Sequence, residues 1–72
     1  MTLEDAHNQI GNSVAYIPLH ACGDINHPDV EYGKISSYND RFIFVKFDKQ
    51  LANLGWEETT AQSCLPESLA LV

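Results

Sequence analysis

The sequence predicts a mainly-β fold: a small β-barrel of about five strands, with a short helix before it and a helical turn closing it. Three observations lead there. Two strand-like runs, residues 30–37 and 42–47, flank a tight polar turn at Tyr38-Asn39-Asp40-Arg41. Shorter β-rich stretches at 14–17 and 59–64 lie on either side of that hairpin. The chain has 72 residues, room for one domain and no second core. It divides as an N-terminal helix or arm over 1–12 and a barrel over 13–69.

The elements follow in order. Thr2-Leu3-Glu4-Asp5 reads as a helix start, with a capping hydroxyl and acids in the first turn. Leu3, Ala6 and Ile10 then recur on one helical face, and Gly11-Asn12 stops the helix, so residues 2–10 are expected to be helical. Val14-Ala15-Tyr16-Ile17 is a strand ended by Pro18. Residues 19–29 contain Gly, Asn, Pro and two Asp, the composition of an ordered loop. Loops of this length are frequently functional.

In the central hairpin, Asn39 and Asp40 suit a tight turn, because both tolerate left-handed backbone and bond locally to main chain. Gly33 implies a bulge or sharp bend in the first strand. Phe42-Ile43-Phe44-Val45 is apolar on both faces. Alternation puts Ile43, Val45 and Phe47 on one side and Phe42 and Phe44 on the other. One set fills the barrel, and the other needs cover from the N-terminal helix or from a second subunit. Phe42 and Phe44 are therefore the expected self-association residues of a homodimer. Residues 48–58 read as a loop or short helical turn from which Leu51, Leu54 and Trp56 pack back. Pro66-Glu67-Ser68-Leu69 reads as the closing helical turn, with proline in its first position.

Charge narrows the function classes. Ten acidic and four basic residues give a net −6, which disfavours nonspecific binding to a nucleic-acid backbone. Lys34, Arg41, Lys46 and Lys49 do cluster in sequence, so nucleic-acid binding by one face of the hairpin is kept as an alternative. The N-terminal residues lack the basic start and apolar run of a secretory signal, and no apolar stretch is long enough to span a bilayer. A cytoplasmic protein with two free thiols, Cys22 and Cys64, is expected.

Several residues carry ligand or catalytic chemistry. The loop His20-x-Cys22-x-Asp24-x-x-His27-x-Asp29 gathers imidazole, thiol and carboxylate groups. His20, Cys22, His27 and Cys64 make a conceivable transition-metal set, although no Cys-x-x-Cys pair or regular His spacing supports it. Caps for the loop are the plainer role. A calcium loop fails, because the glycine position falls on Asp29. A thiol paired with His20 or His27 would be a nucleophile only if held as thiolate. Gly11, Gly23, Gly33 and Gly55 lie too far apart to cradle phosphate, so no cofactor is expected. Most of the seven aromatic residues belong to the core, and Tyr38 and Trp56 are the two expected at the surface.

Two resemblances add to this reading. Val14-Ala15-Tyr16-Ile17-Pro18, residues 31–37 around Gly33, and residues 39–47 resemble the "G-x-V, turn, V-x-V-x-F" pattern of SH3-like or Tudor-like barrels. More narrowly, residues 16–21, Gly23-Asp24, His27-Pro28-Asp29, the 36–40 turn, Thr60-Ala61-Gln62 and Cys64-x-Pro66 resemble small uncharacterised bacteriophage and prophage proteins. The resemblance implies an accessory role in a bacterial cytoplasm and brings no catalytic residues. Together these readings point to a non-catalytic module that binds a bacterial or phage protein. Its expected contact residues are His20, Cys22, Asp24, His27, Asp29, Tyr38, Arg41 and Trp56. A metal- or thiol-dependent site in the 20–29 loop is the remaining alternative.

Overall fold

The N-terminal helix forms where its signals lie. A computed structural model describes residues 1–72. Thr2 caps α1 (Leu3–Asn8), its hydroxyl accepting from the Asp5 N–H while the Asp5 carboxylate accepts from the Thr2 N–H. Ala6 is fully buried and Leu3 packs beside it, but the helix ends before Ile10, which is half exposed. Gly11, at φ +87°, turns the chain into β1 (Ser13–Tyr16). The Gly11 N–H donates to the Ile35 carbonyl at 2.8 Å, so pairing with the next strand starts before β1 itself.

β2 (Glu31–Tyr38) and β3 (Ile43–Phe47) form the expected hairpin. Its turn is closed by the Asn39 side chain, whose Oδ1 accepts from the Arg41 and Phe42 N–H groups at 2.8 and 2.7 Å. Neither Asn39 nor Asp40 has positive φ, so local side-chain bonding forms the turn without left-handed backbone. The bulge lies between Ile35 and Ser37, downstream of Gly33. Gly33 serves close approach instead: a Cβ there would fall 2.7 Å from the Lys46 carbonyl oxygen.

The 48–58 segment, expected as a loop or short helical turn, forms α2 (Asp48–Glu58), two helical stretches joined across a kink, which starts directly from the last residue of β3. Residues 49–54 are mostly good helix formers, and Gly55 at φ +77° breaks the helical path before Trp56. α2 lacks the apolar stripe that marks a helix in sequence, and accordingly none of its residues is fully buried. The 59–64 strand shortens to β4 (Gln62–Cys64), preceded by Thr59, whose N–H and hydroxyl both bond the Gly55 carbonyl. Pro66 begins the 3-10 turn Pro66–Ser68, as its fixed φ favours. The sheet then runs past residue 69 into β5 (Leu69–Leu71), a strand beyond the expected closing turn.

These five strands make one antiparallel sheet in the order β4-β3-β2-β1-β5. The sheet organises a mainly-β fold, although helices and strands claim similar shares of the chain. Its inner face carries Val14, Ile35, Ile43, Val45, Phe47, Cys64 and Leu69, with Ala6 of α1 laid against them. The helix therefore covers the Ile43–Val45 side, and Phe42 and Phe44 lie on the other face without it. Both are partly buried, and Phe44 stands between Ser37 and Ser63 of its neighbouring strands. No helix is long and apolar enough to cross a membrane.

Candidate functional site

The segment between β1 and β2 is built from local bonds. Pro18 leads into the 3-10 turn Leu19–Ala21, and the buried Ala21 anchors it. Cys22 at φ 53° and Gly23 at φ +80° reverse the chain. The Asp24 carboxylate accepts from the Asn26 N–H at 2.9 Å, the loop-closing role expected of it. Turn bonds from the His27 N–H to the Asp24 carbonyl and from the Val30 N–H to the His27 carbonyl bring the chain into β2.

This path gathers three of the expected residues. His20 Nε2 lies 2.7 Å from Asp29 Oδ2, and the His20 and His27 rings meet edge to face with centroids 5.3 Å apart. The Asp29 N–H donates to His27 Nδ1 at 3.0 Å. The hydrogen bond from His20 holds the Asp29 carboxyl below the usual carboxylate range; desolvation opposes it, and the charges of the two imidazoles add to the lowering.

Neither cysteine sulfur belongs to this group of ligand atoms. Cys22 is exposed and its Sγ contacts the His20 carbonyl at 3.8 Å. Cys64 is buried in the core on β4, its thiol directed at the Gln62 carbonyl. Burial pushes the Cys64 thiol up, and the Glu31 charge adds to that effect. Both influences oppose the thiolate that a nucleophile requires. Of the four residues named from the sequence as a metal set, the structure brings His20 and His27 together, with Asp29 beside them, and leaves Cys22 and Cys64 outside the group.

The remaining expected contacts are scattered. Tyr38 ends β2 and its hydroxyl pairs with His7 Nδ1 at 2.6 Å, tying the hairpin to α1. Arg41 is exposed at the hairpin turn. Trp56 is 42% exposed, with the Lys46 ammonium 4.4 Å above its ring and bonded to its carbonyl. Lys34 reaches Ser13 Oγ at 3.4 Å and lies directly across from Lys46 in the β2–β3 register.

A cleft of about 560 Å³ opens where the loop enters β2, and most of its lining was not singled out from the sequence. Asp29, Glu31 and Asp48 supply three carboxylates, Lys49 one ammonium, and Tyr32 and Phe47 apolar surface. Glu31 and Tyr32 come from the head of β2, and Phe47 and Asp48 from the junction of β3 with α2. The Gly33–Phe47 pairing brings these two places together. Tyr32 points outward because its neighbour Gly33 points in, an alternation already present in the sequence. Comparison with protein-family models, with curated proteins and with solved structures finds no match to the chain.

Proposed function

We propose that this chain is a non-catalytic binding module of SH3-like, Tudor-like barrel plan, a phage-type accessory protein that engages or inhibits a bacterial protein in the cytoplasm. A basic, extended segment of that partner is received in the cleft at the head of β2. In support of the plan, four strands follow one another as a meander and a 3-10 turn leads the fifth back beside the first. The observation that carries the docking reading is the cleft itself, with three carboxylates against one lysine around a 45% exposed Tyr32.

The physical case is complementarity. Acidic rims attract and orient a basic partner, and an exposed tyrosine provides rigid apolar contact at little entropic cost. The net charge of −6 extends the same field over the molecule.

Selection from a random peptide library, followed by fluorescence anisotropy, tests this. Enrichment of Lys- or Arg-containing peptides is expected. Their affinity should fall about tenfold or more in Tyr32→Ala, in the range of an interface hot spot. It should also fall in a Glu31→Lys, Asp48→Lys double variant and with added salt. Binders indifferent to all of these changes would refute the docking site.

Nucleic-acid binding is the second reading, and the cross-strand Lys34–Lys46 pair is the observation in its favour. Both ammonium groups already have protein partners in Ser13 and Trp56, which ranks it behind. An oligonucleotide titration at low salt distinguishes the two, because phosphate contacts are strongest there.

A further inference from the structure

We propose that His20, His27 and Asp29 bind one divalent transition-metal cation of the zinc class. One ring nitrogen of each imidazole and one carboxylate oxygen lie within 4.8 Å of one another. Ligands held tetrahedrally at about 2.0–2.2 Å from an ion sit about 3.3–3.6 Å apart. Closing these three atoms on a cation therefore takes side-chain shifts of about an ångström, without refolding the loop.

The donor set selects the kind of ion. Two imidazoles and one carboxylate suit zinc, nickel or copper, whereas calcium and magnesium require mostly oxygen ligands. Three protein ligands leave a coordination position to water.

Existing bonds show what the cation replaces. The proton between His20 Nε2 and Asp29 Oδ2, now 2.7 Å apart, gives way to the metal and leaves for Nδ1 or for solvent. His27 Nδ1 accepts the Asp29 N–H, and metal binding ends that bond through either nitrogen. Binding through Nδ1 uses the same lone pair, and binding through Nε2 places the ring proton on Nδ1. The ion thus exchanges two hydrogen bonds within the loop for three coordination bonds. Asp29 also lines the neighbouring cleft, but both imidazoles lie outside that lining, so the metal assignment does not rest on the cleft docking a protein.

Chelator-treated protein titrated with zinc chloride tests the assignment, with calorimetry for stoichiometry and NMR for the histidine rings. The pH is set above the histidine range so that protons do not compete. One saturable equivalent is expected, shifting the ring signals of His20 and His27 and leaving those of His7. His20→Ala and His27→Ala should each weaken zinc about tenfold or more, at least the loss seen when a supporting group is removed. His7→Ala should leave it unchanged. His20 and Asp29 are about 60% exposed, so substitution there spares the core, and a thermal melt of each variant verifies folding. Absence of saturable binding, or binding that survives the loss of both His20 and His27, overturns the site. So does binding abolished by Cys22→Ser but retained in His27→Ala, which would place the ion on the thiol.

Discussion

Gly33 lies against the backbone of Lys46, so that a methyl group at position 33 would sit 2.7 Å from the Lys46 carbonyl oxygen and 2.7 Å from Val45 Cγ1. The obstructing carbonyl belongs to the β3 main chain, which cannot rotate away as a flexible side chain would. The same close crossing pairs Gly33 with Phe47 and so sets Tyr32 beside the cleft.

Gly33→Ala should accordingly destabilise the fold by about 1–3 kcal/mol, the usual consequence of forcing volume into a packed site. Urea unfolding measures it. A chain of this length has roughly 4–11 kcal/mol in total, so the shift in midpoint should be large. An unchanged midpoint would mean that β2 and β3 can separate here without loss.

Lys46 and Trp56 connect β3 to the end of α2. The ammonium lies over the indole ring, and α2 has no fully buried residue to fasten it otherwise. Lys46→Met should cost about 0.5–1 kcal/mol, as expected for a partly exposed cation over an aromatic face. The chain's single tryptophan makes fluorescence the direct readout. Its emission should change on this substitution, together with faster amide exchange in α2. Unaltered emission and exchange would show that the helix is held by other contacts.

Asp29 should respond to pH through His20. Its folded-state carboxyl titrates below the usual carboxylate range because the His20 hydrogen bond favours the charged form. The stabilisation it brings is therefore complete above the ordinary carboxylate pKa and disappears as pH falls through the lowered folded value. Following the Asp29 carboxyl carbon by NMR should show this low midpoint, and His20→Ala should raise it. A midpoint indifferent to His20 would remove the pair as its cause.

The two thiols should differ sharply in reactivity. Cys22 is exposed, whereas burial both shields Cys64 and raises its pKa. A native thiol titration should show one fast equivalent, lost in Cys22→Ser, and a second that reacts on unfolding. Equal rates would indicate that β4 opens readily at the sheet edge.

Much of the local structure was legible from single residues. Thr2 caps α1 and Pro66 opens the last 3-10 turn, each through bonds or dihedrals within a few positions of itself. The 30–37 and 42–47 runs became β2 and β3 because alternation and a polar turn need no distant partner to be recognised. Asn39 marked the turn correctly, although its side chain closes it by hydrogen bonds to Arg41 and Phe42 and its backbone stays out of the left-handed region.

Other features depend on pairings far apart in sequence. Leu69–Leu71 is too short to signal a strand alone and becomes one by pairing with β1. α2 hid behind Gly55 and the lack of a buried face. The sequence by itself determined that side chains with ligand chemistry, His20, His27 and Asp29, share one polar loop. The tertiary structure decided which of them meet. Loop turns bring those three together, core packing takes Cys64 away from them, and the close crossing at Gly33 joins Glu31 and Tyr32 to Asp48. Local bonding preferences can be read along the chain, but proximity is set by register and burial, which exist only once the strands have paired.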